Sequence, residues 1–309
     1  MINCYEDLIK YVKGTKTRRR IAVAAAHDRH TLEGIAEGCR QGVTEPVLIG
    51  DEARIRSIIS EEKLTIPVND IEIINELDDT EAAAEAVRMV RERRADIIMK
   101  GILPTAHLLK EVVNRETGIK RGSVLSHVGL FQIPSYHKLI ILTDGGMLLA
   151  PDAQQKRQIV ENAVRVMESL GRSMPKVAAL CATEEVNPRM TASVDAAQLK
   201  KWNQEGILKD CIVEGPISFD LMFDKEAASV KHFESPVAGD ADIWLMPDMT
   251  AGNLVAKSLM CAAGAKMAGL IVGADAPVVV VSRGASAEEK YYSLIFAAAI
   301  AAQEEKNGI

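Results

Sequence analysis

An excess of basic residues is missing from this sequence. Its 309 residues carry 37 Lys and Arg against 43 Asp and Glu, a formal net charge of -6. Binding along a phosphate backbone draws on clustered Lys and Arg, so nucleic acid is excluded as a principal partner. Any phosphate-bearing ligand must be small and held locally. Cysteine is sparse: Cys4, Cys39, Cys181, Cys211 and Cys261 are scattered, with no pair at zinc-ligand or redox spacing, and they read as reduced thiols. Long apolar runs are also lacking. The stretch 267–281 is interrupted by Asp275 and Pro277, and the run 291–302 is too short to span a bilayer. The first residues, Met1 to Asp7, lack the basic-then-apolar pattern of a secretory signal. No membrane partner is expected, and a cytoplasmic location follows.

Several catalytic signatures are absent as well. There is no Gly-rich Walker loop, no dinucleotide fingerprint, no zincin helix and no G-x-S-x-G elbow. The six histidines show no ligand pairing on one helical face, so no metal is expected. His127 follows Ser126 directly, and neighbours in a strand or turn rarely present side chains to one another. His127 therefore reads as a buried or hydrogen-bonded residue rather than half of a dyad.

What is present is an aliphatic chain: 48% of residues are hydrophobic but only 4% aromatic. Its length suits two domains of about 150 residues. Short β-branched runs alternate with Ala/Leu/Glu/Lys segments, the rhythm of βαβ units, so the fold class is α/β with mostly parallel sheets and flanking helices. Strands are expected at Ile21–Ala25, Val47–Gly50, Ile71–Ile74, Ile97–Met99, Leu139–Thr143, Val177–Cys181, Ile212–Glu214, Ile243–Met246 and Val278–Val281. The spacing predicts an amphipathic helix over Thr80–Arg94, with Ala84, Val87, Met89 and Val90 near one face. Pro151-Asp152 followed by a helical pattern places a domain crossing near residue 145.

Three strand-turn-helix segments carry candidate chemistry, since open α/β sheets bind ligands at strand C-terminal ends. After the last strand come Ser282, Arg283, Gly284 and Ser286, then Glu288 and Glu289. Such a turn offers backbone N–H groups and a helix start to an anion, and Arg283 adds a charged planar fork. The plainer alternative is also open: Ser286 followed by Glu289 is a capping box. A second segment holds Gly252, Asn253 and, one helical turn on, Lys257. A third holds Lys100, Gly101, Thr105 and Lys110, whose Lys and Thr side chains could converge on phosphate oxygens.

With these residues in place the chain resembles the phosphate acetyl/butyryltransferases over nearly its whole length. The likeness runs through Ala24–Asp28, Pro46–Gly50, Ile98–Gly101 with Thr105, Ser126-His127, Thr143–Met147, Ala150–Asp152, Gly215-Pro216 with Asp220, Ser235–Asp242, Pro247-Asp248, Ala251–Asn253 with Lys257, and Ser282–Gly284. The Ser126–Met147 and Met99–Thr105 segments, with the compact length, look more like the butyryltransferase branch than the acetyl branch. The resemblance implies a two-domain fold like that of the isocitrate and isopropylmalate dehydrogenases, with residues 1–144 and 284–309 in one domain and 145–283 in the other. It further implies an active site in the interdomain cleft and a homodimer or larger homo-oligomer. The implied reaction is acyl-CoA plus phosphate giving acyl phosphate plus coenzyme A, with CoA as a substrate and no permanently bound cofactor. Ser282 and Arg283 match residues that contact the acyl phosphate, and Glu289 matches an acidic residue proposed to deprotonate the CoA thiol. The acetyl branch carries Asp at that position, while the butyryl branch carries Glu at the position of Glu288. Lys100, Gly101, Thr105, Lys110, Ser126, Asp144, Gly252, Asn253, Lys257, Gly284 and Ser286 are the substrate-binding candidates. Lys110 stands where the family commonly has Arg, which keeps the charge but loses the bidentate fork. Rival expectations are a metal- and NAD(P)-dependent decarboxylating dehydrogenase of the same fold and a non-catalytic CoA-binding module.

Overall fold

The computed structural model describes residues 2–15, 17–66, 71–122, 124–282 and 284–306. In chain order the first elements are α1 (Tyr5–Gly14), β1 (Arg19–Ala24), α2 (Arg29–Arg40), β2 (Thr44–Gly50), α3 (Glu52–Glu61), β3 (Ile73–Asn75), α4 (Asp79–Arg91), β4 (Ile97–Lys100) and α5 (Thr105–Val112). Next come β5 (Ser126–Gln132), β6 (Ile140–Thr143), α6 (Ala153–Ser169), β7 (Lys176–Leu180), α7 (Thr191–Gln204) and β8 (Ile212–Ile217). The chain continues through α8 (Phe219–Phe223), α9 (Lys225–Val230), β9 (Ile243–Leu245), α10 (Met249–Ala263), β10 (Lys266–Val272), β11 (Val278–Val279) and α11 (Ala287–Lys306).

Two compact units result. The first is Tyr5–Ser123 with Ala268–Ile309, and the second is Met1–Cys4 with Val124–Met267. The division therefore lies at 123/124 and 267/268, upstream of the expected crossings near 145 and 284. Strand pairing explains the shift. β6 pairs antiparallel with β5 and parallel with β9, which draws the chain from 124 onward into the second unit. β10 pairs with β11 and β11 with β4, which holds the chain from 268 in the first.

In the first unit the strand order is β3-β2-β1-β4-β11-β10, and every pairing but β10–β11 is parallel. Ile21, Val23, Leu48, Ile97 and Ile98 are fully buried, as strands covered by helices on both faces require. The apolar run near the C-terminus is the core of α11, where Leu294 through Ala299 have no exposure. Among the described residues no helix is long and apolar enough to cross a membrane. Aspartates start the helices: Asp28 and Asp51 each accept one first-turn backbone N–H and Asp78 accepts two, so orphan donors at each helix start are satisfied. α4 stops at Arg91, short of the expected Arg94, because Arg93 turns left-handed with φ 57°.

The second unit orders its strands β5-β6-β9-β7-β8 around Trp244, whose ring packs edge-on against Tyr136 and Phe219. Each of the nine expected strands overlaps an observed one. β5 and β10 were not expected, since each is interrupted by a glycine (Gly129, Gly269) and neither alternates cleanly.

At the N-terminal ends of β7 and β9 a charged cluster closes the second unit. Asp240 accepts from Lys176, from Lys138 and from His137 at 2.8 Å, while Lys138 also reaches Asp242 at 2.7 Å. Burial alone would raise the Asp240 carboxyl, but the hydrogen bonds from Lys176, Lys138 and His137 outweigh it and hold it well below the usual carboxylate range. A carboxylate depressed on folding contributes stability that is complete above its unfolded pKa, about 3.9, and is lost as pH falls through the folded value. Acid titration of the melting temperature is expected to fall more gently below about pH 4 in Asp240→Asn than in the wild type. Parallel acid limbs would remove Asp240 from the account.

Candidate active site

Parallel pairing puts the C-terminal ends of β1, β2, β4 and β11 on one edge of the first unit's sheet. The strand order reverses between β1 and β4, the kind of switch point where α/β sheets open a crevice. There the turn after β1 and the turn after β4 are bound together: Gly101 N–H donates to Ala24 O at 2.8 Å and Ile102 N–H to Ala25 O at 3.0 Å. Gly101 stands so close to that turn that a Cβ on it would lie 2.0 Å from Ala25 O. Lys100 is 2% exposed, and its ammonium donates to Gly101 O at 3.0 Å and Leu103 O at 3.2 Å. Its charge is thus anchored at the rim by carbonyls of the following turn.

Thr105 opens α5 and is partly buried, whereas Lys110 is exposed near its end. Five residues correspond to about 500° of helical rotation, so Thr105 and Lys110 stand about 140° apart around α5 rather than on one face. Lys100 and Thr105 share the rim; Lys110 does not join them on the face of Thr105.

β11 lies beside β4, with Val279 opposite Met99. Ser282 and Gly284 beyond it are exposed, Ala285 is buried, and Ala285 N–H closes a turn on Ser282 O at 3.0 Å. Arg283 lies outside the described residues. Ser286 Oγ accepts from Glu289 N–H at 3.1 Å, so the capping use of Ser286 is present. Glu288 is exposed and accepts from the Tyr292 hydroxyl at 2.8 Å, while Glu289 is half-buried.

In the second unit Asp144 follows β6 and is 3% exposed. Its carboxylate accepts from the backbone N–H groups of Gly146 and Met147 at 2.8 Å, Leu148 at 3.3 Å and His127 at 3.1 Å. It holds the Gly145-Gly146 loop in shape. That loop abuts the start of α10: a Cβ on Gly252 would lie 2.7 Å from Gly145 Cα, and Asn253 Nδ2 donates to Gly145 O at 3.4 Å. Asn253 and Lys257 are exposed one turn apart on α10. Ser126 is fully buried, and its hydroxyl accepts from Asn162 at 3.0 Å. Burial drives the His127 imidazole below its ordinary pKa, with Asp144 opposing, so the ring is neutral at pH 7. Ser126 faces Asn162 rather than His127, as alternation along a strand requires.

Against this geometry, a family model described as "Phosphate acetyl/butaryl transferase" matches residues 67–301. The chain belongs to the phosphate acetyl/butyryl transferase family. It is 39% identical over 301 residues to phosphate butyryltransferase of Clostridium acetobutylicum, covering 97% of this chain and 99% of that one. It is equally 39% identical over 296 residues to phosphate acetyltransferase of Thermotoga maritima, covering 96% and 99%. Among solved structures, a branched-chain phosphotransacylase from Enterococcus faecalis V583 superposes with a TM-score of 0.82 at 32% identity, covering 92% of this chain and 99% of that one.

For a member of this transferase family, the first unit gathers Lys100, Gly101, Thr105, Ser282, Gly284, Ser286, Glu288 and Glu289 at one sheet edge and the helix start beyond it. The second unit gathers Asp144, Gly252 and Asn253 around one loop, with Lys257 one turn further along α10. Residue-by-residue reading passed over a buried trio: Lys290 Nζ donates to Asp28 Oδ2 at 2.9 Å and Thr31 Oγ1 at 2.7 Å, and the Thr31 hydroxyl also bonds Asp28. The signal was a lysine entering an otherwise apolar helical run, but its partners lie 262 and 259 residues away.

Proposed function

We propose that this protein reversibly transfers a short-chain acyl group, butyryl or acetyl, between coenzyme A and inorganic phosphate. The observation that carries the reading is near full-length similarity to transferases of both names, supported by the strand-order switch beside β4, whose end carries Lys100. In the direction of CoA acylation a glutamate takes the thiol proton, the sulfur attacks the acyl phosphate carbonyl, the C–S bond forms and phosphate leaves with the electrons of the C–O bond. A free thiol of pKa about 8.5 is only a few per cent ionised at neutral pH, so a base in reach raises the reactive fraction. Glu289 is assigned that role on its match to the acidic residue of the acetyl branch, and Glu288, which accepts the Tyr292 hydroxyl, is the alternative. Ser282 and Arg283 are assigned to the oxyanion and the departing phosphate. With a net charge of -6 the chain needs local cations for its anionic substrates, and Lys100, Lys110, Asn253 and Lys257 are assigned to phosphate groups. The architecture is proposed to be of the isocitrate and isopropylmalate dehydrogenase kind.

Chain-length preference is set by small increments, since one methylene discriminates by about 1–3 kcal/mol. Thiol release measured across acetyl-, propionyl-, butyryl- and branched acyl-CoA is expected to require phosphate for every accepted ester. Phosphate-independent release would make the protein a hydrolase and sink the proposal.

A homo-oligomer is part of the same reading. α10 is rich in apolar residues, yet of its 15 residues Gly252 alone is buried, and Leu254 is 63% exposed. Such a face suits a partner copy. Sedimentation at micromolar concentration should give at least a dimer, and a strict monomer would refute it. The five cysteines are all free, which fits a reducing, cytoplasmic compartment.

A further inference from the structure

We infer that Lys290 is a positioning residue for acyl transfer, acting through Glu289 by clamping the first turn of α11 to the Asp28–Thr31 start of α2. The inference rests on the proposed reaction and on Glu289 as its base.

From Ser282 to Glu289 the described chain is mostly solvent-facing: Ser282, Gly284, Ser286 and Glu288 are exposed, and Ala285 is the buried anchor. A segment with so few buried contacts belongs to the low-stability end of a fold. Lys290 comes next and is different. Its side chain is 4% exposed against 17% for Asp28, and Thr31 has no exposure at all. The ammonium meets both an ionised oxygen and a hydroxyl at hydrogen-bond distance. Burial alone would raise the Asp28 carboxyl; the bonds from Thr31 and Lys290 outweigh it and leave it below its ordinary value, so Asp28 is ionised at neutral pH.

Asp28 serves two elements at once. It caps α2 through Thr31 N–H at 3.2 Å and ends the turn after β1, whose Ala24 and Ala25 carbonyls hold the turn carrying Gly101. Lys290 therefore ties the helix start bearing Glu289 to the switch point bearing Lys100. A buried ion pair adds little net stability compared with an apolar pair of the same shape. It does impose one geometry, because both charges must be met.

The test separates geometry from stability. Asp28→Asn with Lys290→Met removes both charges together, and Thr31→Val removes one acceptor while keeping them. Each is made alone and with Glu289→Gln, and kcat, KM and melting temperature are read. The Asn/Met protein should melt within a few degrees of the wild type, with KM for phosphate and acyl-CoA little changed. Its kcat should fall by between about tenfold and a hundredfold, the scale of a small misplacement of a reacting group. In the Glu289→Gln background the same change should cost nothing further. A folded Asn/Met protein with wild-type kcat, or losses that multiply fully with Glu289→Gln, would overturn the inference. If the Asn/Met protein does not fold, Thr31→Val decides: a severalfold fall in kcat that vanishes with Glu289→Gln supports it, and an unchanged kcat overturns it. A wild type inactive on every acyl-CoA defeats the reaction itself, an outcome distinct from all of these.

Discussion

Replacing Arg283 by Ala is expected to lower kcat about a hundred- to a thousandfold, the cost of removing one oxyanion donor, on the role proposed for it above. Negative charge builds on the carbonyl oxygen and on the departing phosphate as sulfur attacks, so a guanidinium in the proposed role gains more from the transition state than from bound substrate. Such a loss appears in kcat and kcat/KM together, with KM little changed. A melting curve like the wild type's is the control that ties the loss to chemistry rather than to folding. Arg283→Lys keeps the charge but not the planar fork, so a partial recovery is expected. Steady-state kinetics on a variant with a native melting curve checks this; near-normal kcat in Arg283→Ala would remove the residue from the mechanism.

Gly101→Ala is expected to destabilise the first unit by at least about 3 kcal/mol, the upper end of overpacking costs. The added Cβ would stand 2.0 Å from Ala25 O, 2.7 Å from Ala25 C and 2.8 Å from Ala24 O, all main-chain atoms that cannot rotate aside. Either the turn after β1 moves or the hydrogen bonds from Gly101 and Ile102 break. A fall of about 10 °C in melting temperature, with poor soluble yield, is the measurable result. A variant that melts with the wild type would show that the two turns are not packed as described.

How much of this was legible beforehand depends on how local each cause is. The strand-turn-helix reading of 277–290 needed only neighbouring residues, and so did the cap from Ser286 to Glu289 N–H. Asp144 was readable as a loop residue, but three of its four backbone partners are local while His127 N–H comes from β5, a strand that glycine and mixed polarity concealed. Gly101 stands among the substrate-binding candidates for its place after a strand; its close packing on Ala25 O is something only the pairing of β1 with β4 could reveal. The domain crossing was placed by a Pro-Asp pair, yet hydrogen bonding between strands set it some twenty residues earlier. Lys290 was least legible, because a lysine is ordinarily solvated and its burial depends on partners at the far end of the chain.

The most direct test is product stoichiometry with purified protein, acyl-CoA and inorganic phosphate, without added metal or nicotinamide. One free thiol and one acyl phosphate should form per acyl-CoA consumed, and adding acyl phosphate and CoA should run the reaction backward. Thiol appearing with free carboxylic acid in place of acyl phosphate, or no thiol at all, would contradict the account.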